Sequence, residues 1–220
     1  PEVLTGDVAD LAMTFILMAP RRIGEAERFL RSGHWLEGRM DLGTTIRGKR
    51  LGILGLGRIG RAVARRAEVF GLNIGYYDIK PMGDLPYRAY PGLMELAKAS
   101  DILLVACEGG EANRGLVNGD VLRALGSKGF LINTARGPIV DQSALVAALE
   151  DRAIAGAALD VFDGEPNVPA ALMKMENVVL TPHIASSTHE TRRAMGDLVY
   201  DNLRAHFDGK PVLTPVPPQT

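Results

Sequence analysis

The chain has 220 residues, 46% of them apolar and 23% charged, which is enough to bury a core in one or two domains and excludes a disordered polyelectrolyte. Its 25 basic and 26 acidic side chains leave a formal net charge of -1, so no global field draws it to nucleic acid or anionic lipid. The longest strongly apolar stretch, Leu11 to Pro20, has about half the length that a bilayer span needs, and one cysteine with four scattered histidines makes neither a disulfide nor a metal-ligand motif. The expectation is a cytoplasmic, metal-free protein with no nucleic-acid or membrane partner.

In chain order, Val8 to Met18 reads as an apolar helix, with Thr5 and Asp7 as possible caps and Pro20 closing it. Arg21 to Arg31 follows as a second helix, with Ile23, Ala26, Phe29 and Leu30 on one face and Gly33 ending the run before Trp35. Together these form a helical arm over residues 5–36. From Lys49 the pattern changes. Near-continuous apolar runs at Leu51 to Leu54, Ile74 to Tyr77, Ile102 to Ala106, Phe130 to Ile132, Ala157 to Leu159 and Val178 to Leu180 predict six strands. Most alternate with helical segments at Ile59 to Phe70, Leu93 to Lys98, Val121 to Leu125 and Ser143 to Glu150. Strands apolar on both sides, with helices between them, predict a doubly wound α/β fold around a parallel six-stranded sheet. A last helix opens at Ser187-Thr188-His189-Glu190 with capping-box spacing and runs to about Phe207, and a proline-rich tail from Gly209 to Thr220 lies on the surface.

The first strand runs into Gly55-Leu56-Gly57-Arg58-Ile59-Gly60 and then directly into a helix. In that context Gly55 makes a tight turn, Gly57 admits a pyrophosphate, Gly60 lets helix and strand pack closely, and the helix N-terminus faces the phosphates. Asp78 ends the second strand, 18 residues after Gly60, where a carboxylate accepts bonds from the ribose hydroxyls of NAD and repels a 2′-phosphate. Lys80, two residues on, works against that discrimination, so NADP is the less favoured but open alternative. A purely structural glycine turn is the competing reading.

Polar residues just beyond the last three strands lie where open parallel sheets bind ligands. These are Arg136, Glu165 and His183. A histidine exchanges a hydroxyl proton near neutral pH, a neighbouring carboxylate holds its tautomer, and an arginine grips a substrate carboxylate bidentately. Taken singly, each is equally readable as a surface charge or a strand-end histidine.

Three segments, Asn133-Thr134-Ala135-Arg136-Gly137 with Val140-Asp141, then Leu159-Asp160-Val161-Phe162 to Glu165-Pro166, then Thr181-Pro182-His183-Ile184-Ala185-Ser186, resemble in order those of the D-isomer-specific 2-hydroxyacid dehydrogenases. The resemblance covers nearly the whole chain. It implies hydride transfer between NAD(H) and a small 2-hydroxy or 2-keto acid, with Arg136 binding substrate and Glu165 and His183 as the acid/base pair. It also implies that Thr134, Ala135 and Asp160 lie on the nicotinamide side, Arg58 and Ile59 at the pyrophosphate, Ser186 near the nicotinamide, and Ala106 and Cys107 along the cofactor cleft. Leu85-Pro86-Tyr87-Arg88 and Val105-Ala106-Cys107 look most like the glyoxylate and hydroxypyruvate reductase branch. Glu108 departs from the pattern, standing where a proline is expected.

Family members place a substrate domain ahead of the helical arm, and the expectation here is that it is missing from this sequence. Residues 1–190 would be the dinucleotide-binding domain, and residues 191–220 would reach back to the missing part. The arm, with Trp35, resembles the segment through which such domains form homodimers. A non-catalytic, dinucleotide-sensing module like the corepressor relatives is the alternative function.

Overall fold

The computed structural model describes residues 2–80, 83 and 85–216. Pro1 and the tail end at 217–220 lie outside the described residues. Two helices come first, α1 (Thr5–Met18) and α2 (Ile23–Arg31), and the α/β layers follow: β1 (Arg50–Leu54), α3 (Arg58–Val69), β2 (Asn73–Tyr77), β3 (Arg88–Ala89), α4 (Leu93–Ala99) and β4 (Ile102–Val105). The second half continues with α5 (Gly119–Leu125), β5 (Phe130–Asn133), α6 (Gln142–Glu150), β6 (Gly156–Leu159), α7 (Ala170–Lys174), β7 (Val178–Leu180) and α8 (His189–Phe207).

All neighbouring strands are parallel, in the order β3-β2-β1-β4-β5-β6-β7. The sheet therefore has seven strands where the apolar runs predict six. The extra one, β3, is two exposed residues on the edge, too short to carry a hydrophobic period and held by pairing to β2 alone. Connections switch direction between β1 and β4, which opens a crevice at the carboxyl ends of those strands.

Each sheet face carries its own apolar layer. Leu93, Leu96, Leu122, Leu145 and Leu149 of α4, α5 and α6 pack against Leu103, Leu131 and Leu159 on one side. Phe15 and Ile16 of α1 and Val63 of α3 pack against Leu51, Ile53, Leu104 and Ile132 on the other. Phe15 and Ile16 are fully buried, each worth about 1.5–3 kcal/mol of transfer free energy.

The predicted arm thus divides. Its first helix is a core helix of the domain, whereas α2 has no buried residue and leaves Ile23 and Leu30 exposed, as are Trp35 and Leu36 beyond it. The expected caps also differ. Leu4 caps α1 with no side-chain bond, and the Asp7 carboxylate instead accepts the Thr188 hydroxyl. Thr188 is itself the cap of α8, accepting the Thr191 N–H at 3.1 Å, so the Ser187 to Glu190 spacing is not used as a capping box. The short α7, with Leu172 as its one buried residue, has too little apolar surface to be predicted.

Candidate active site

At the end of β1, Gly55 has φ +92° and a Cβ built there would lie 2.6 Å from the backbone of Cys107 at the end of β4. A Cβ on Gly60 would stand 2.3 Å from the Gly55 carbonyl oxygen, whereas one on Gly57 would meet nothing within 4 Å. Two of the glycines thus let chain segments touch, and the third keeps open the space in front of the α3 N-terminus, where orphan N–H groups attract anions. The Asp78 carboxylate accepts the Leu56 N–H at 2.7 Å through Oδ2 and the Lys80 N–H at 3.0 Å through Oδ1, and Arg61 Nε donates to the Leu56 carbonyl at 3.0 Å. The acid at the end of β2 therefore also braces the turn.

Beside this turn opens a cleft of about 920 Å³. Ile59, Ala106, Cys107, Thr134, Ala135, Arg136, His183 and Ser186 all line it, along with Glu108. Gly55, Gly57, Arg58, Gly60, Asp78 and Glu165 are not part of its lining, and Asp160 is fully buried. A smaller hollow of about 650 Å³, bordered by Met18, Arg22, Phe130 and Val179, lies toward the amino ends of the strands and holds none of the expected residues.

The β5 end is shaped by Asn133, which is buried. Its Oδ1 accepts the Ala135 N–H and its Nδ2 donates to the Arg136 carbonyl, both at 3.0 Å. A Cβ on Gly137 would fall 1.9 Å from the Phe162 carbonyl carbon, so only glycine lets the Arg136 turn meet the loop that carries Glu165. The stem of Arg136 lies against Gly109, where a Cβ would approach its Cγ to 2.7 Å.

Glu165 Oε1 accepts the Phe162 N–H at 2.9 Å, and Oε2 lies 2.7 Å from His183 Nδ1. Burial pushes this carboxyl's pKa up, but the bonds from His183 and Phe162 and the charges of His183 and Arg136 outweigh it and hold the value below the ordinary one. With Nδ1 engaged, Nε2 of His183 is the ring nitrogen left to meet a ligand. His183 itself has φ +54°, a left-handed conformation unusual for a non-glycine residue.

Two other groups mark the cleft. The Thr134 hydroxyl is buried without a hydrogen-bond partner among the described residues, a cost of about 1–3 kcal/mol that a ligand's polar atom would relieve. The Cys107 thiol is pushed up to about 11 by burial, with the charges of Asp78 and Glu108 adding to it. Sequence reasoning left out Leu4 and Val8 from the start of the chain and Arg192 and Met195 of α8, which are also part of the lining. Their only signal is the packing of two segments more than 180 residues apart, Asp7 against Thr188.

A glycine turn at the switch point of a doubly wound parallel sheet, facing an arginine, a glutamate and a histidine from later strand ends, defines a dinucleotide-binding domain of the oxidoreductase type. The chain belongs to the D-isomer specific 2-hydroxyacid dehydrogenase family, whose NAD binding domain matches residues 13–185. It is 54% identical over 218 residues to glyoxylate/hydroxypyruvate reductase A of Arabidopsis thaliana, covering 98% of this chain and 69% of that protein. Hydroxyphenylpyruvate reductase of Plectranthus scutellarioides is 52% identical over 216 residues, with 98% and 69% covered. Among solved structures, the NADPH-dependent glyoxylate/hydroxypyruvate reductase of Sinorhizobium meliloti, in complex with NADP and malonate, superposes with a TM-score of 0.94 at 49% identity, over 98% of this chain and 68% of that one. The fold and the nicotinamide dinucleotide class of the cofactor follow from this membership.

Proposed function

We propose that the chain binds NAD(H) in preference to NADP(H) and interconverts a small 2-keto acid of the glyoxylate or hydroxypyruvate kind with its 2-hydroxy acid. The observation that carries this reading is the 2.7 Å bond from Glu165 to His183, which with Arg136 lines a cleft that also takes in Ile59 of the glycine turn. A dinucleotide fits the residues present: the open space at Gly57, the α3 N-terminus and the unpartnered Thr134 hydroxyl are groups that such a molecule satisfies. Bound there, the nicotinamide supplies the hydride for reduction and takes it back in oxidation.

The chain's own residues handle the proton and the carboxylate. His183 Nε2 gives its proton to the substrate carbonyl oxygen in reduction and recovers it in oxidation. Glu165 holds the ring through Nδ1 and stabilises the charged imidazole. Arg136 grips the substrate carboxylate and polarises the carbonyl. Asp78 takes the ribose hydroxyls, and its charge, together with that of Glu108, both close enough to act on Cys107, disfavours a 2′-phosphate against the pull of Lys80.

Two features of organisation belong to the same reading. Exposed Ile23, Leu30, Trp35 and Leu36 supply an apolar face through which two copies pair, and sedimentation of Trp35→Ser should shift the protein toward monomer. Residues 1–190 work as the dinucleotide-binding unit, while Val199, Tyr200, Leu203 and Phe207 on the outside of α8 meet the substrate domain that the resemblance implies.

The test is titration calorimetry with NADH and NADPH, followed by steady-state reduction of glyoxylate and hydroxypyruvate by the full-length protein and its His183→Asn and Glu165→Gln variants. NADH should bind more tightly, and His183→Asn should lower kcat by about 10²–10⁴. Equal affinities would reverse the cofactor assignment. Tight dinucleotide binding without turnover of any 2-keto acid would favour the sensing module instead.

A further inference from the structure

The turn after β7 raises a question of support. His183 adopts a left-handed backbone with neither a glycine nor an asparagine at the position, and a conformation of this kind persists only where its surroundings over-determine it. Those surroundings converge on one residue. Asp160 at the end of β6 is fully buried, and its side chain accepts three bonds from the 181–185 segment: the Thr181 hydroxyl and the Ile184 N–H at 2.8 Å on Oδ1, and the Ala185 N–H at 2.9 Å on Oδ2. The Asp160 main-chain carbonyl accepts the His183 N–H itself at 2.9 Å. The residues on both sides of His183 are thus tied to a single anchor, whose own two oxygens are spent on the loop.

We infer that Asp160 and Thr181 form a clasp that positions His183, acting on catalysis through the histidine and making no contact with substrate. The clasp sets the left-handed turn, and the turn delivers Nδ1 to Glu165 and leaves Nε2 for the substrate oxygen. Burying a carboxylate is costly unless donors satisfy it, and two backbone N–H groups with one hydroxyl do so here only while the turn keeps this shape. A relaxed turn would therefore leave a buried carboxylate short of donors, which is what locks the histidine. The anchoring role is additional to the contact to the nicotinamide side that the family resemblance implies for Asp160. This inference rests on the reading of His183 as the acid/base group.

Thr181→Val removes one donor while keeping the shape of the side chain, and Thr181→Ser returns it. Asp160→Asn forces an amide N–H against a backbone N–H, and its failure to fold would still leave the threonine pair to decide the matter. The readouts are the downfield ring proton of His183 in ¹⁵N-histidine-labelled protein without cofactor, the dinucleotide Kd, and kcat and KM for the keto acid. Thr181→Val should weaken or lose the downfield proton and lower kcat about 10- to 100-fold, with Kd and KM within about twofold of the parent. Thr181→Ser should restore both. An intact downfield proton with parental kcat in Thr181→Val overturns the clasp, and so does a kcat loss matched by an equal loss of dinucleotide affinity. Should His183→Asn retain parental turnover, the acid/base reading fails separately, and the ring proton of the threonine variants still decides whether the clasp exists.

Discussion

Two turns border the same cleft and reach uncommon backbone conformations by opposite means. At Gly55 to Gly60 the chain removes side chains: Gly55 takes φ +92° and lies against Cys107, and Gly60 lies against the Gly55 carbonyl. At Thr181 to Ser186 it keeps a full imidazole at φ +54° and secures it with a buried carboxylate borrowed from the neighbouring strand. The first solution is local and inexpensive, since glycine visits positive φ freely. The second is needed where the residue in the strained position is itself the working group. A turn that only has to make room can be built from glycine, whereas a turn that has to present a side chain must be held from outside.

The largest effect that would break this contrast comes from the glycine side. Gly55→Ala adds a methyl group 2.6 Å from the Cys107 backbone at positive φ, and it should cost about 3 kcal/mol or more in urea denaturation. A parental midpoint would mean that the close approach is not required. On the other turn, His183→Gly should stay within about 1 kcal/mol of the parent, because relief of the left-handed conformation offsets the lost bond to Glu165. His183→Val, β-branched at the same φ, should be about 2 kcal/mol less stable than His183→Gly. Equal stabilities would show that the backbone there carries no strain.

A smaller change sharpens the comparison, because the glycine turn also leans on one acid. Asp78→Ala should cost about 1 kcal/mol by freeing the Leu56 N–H, whereas Asp78→Asn, whose one oxygen can keep that bond while the exposed Lys80 N–H turns to water, should cost less while narrowing the NADH over NADPH preference. The smallest effect is on the acid limb. Since the folded state lowers the Glu165 pKa, the group adds stability above its ordinary value of 4.5 and loses it as the pH falls through the folded value. With a third of its side chain exposed to screening solvent, the contribution is small, so Glu165→Gln should slightly flatten the pH dependence of thermal unfolding below the ordinary glutamate value of 4.5. An unchanged profile would remove the coupling to His183.

Much of this was legible in the sequence, for local reasons. Glycine spacing with strand before and helix after marks the phosphate turn, and apolar runs flanked by turns mark six of the seven strands. Arg136 and His183 each stand three residues beyond a strand and Glu165 on the loop six residues beyond one, so strand order brings all three to one end of the sheet. What escaped was set by distant partners. The clasp joins Asp160 to residues 21–25 positions later, and nothing near Asp160 marks its carboxylate as an acceptor for that loop. The two arm helices differ in kind: α1 is apolar nearly all round and packs against α3 in the core, whereas α2 carries one apolar stripe among charged residues and stays outside. Grouping both as one arm overlooked a contrast that composition already shows. β3 and α7 were too short to carry a pattern.

The elevated pKa of Cys107 has a practical side. With a value of about 11, only about one thiol in ten thousand is ionised at neutral pH. Electrophiles such as iodoacetamide and maleimides need the thiolate, and so does the peroxide chemistry that opens the oxidation ladder. The chain's single sulfhydryl is therefore sluggish toward all of them. Air should leave Cys107 free of sulfenic acid and of intermolecular disulfides.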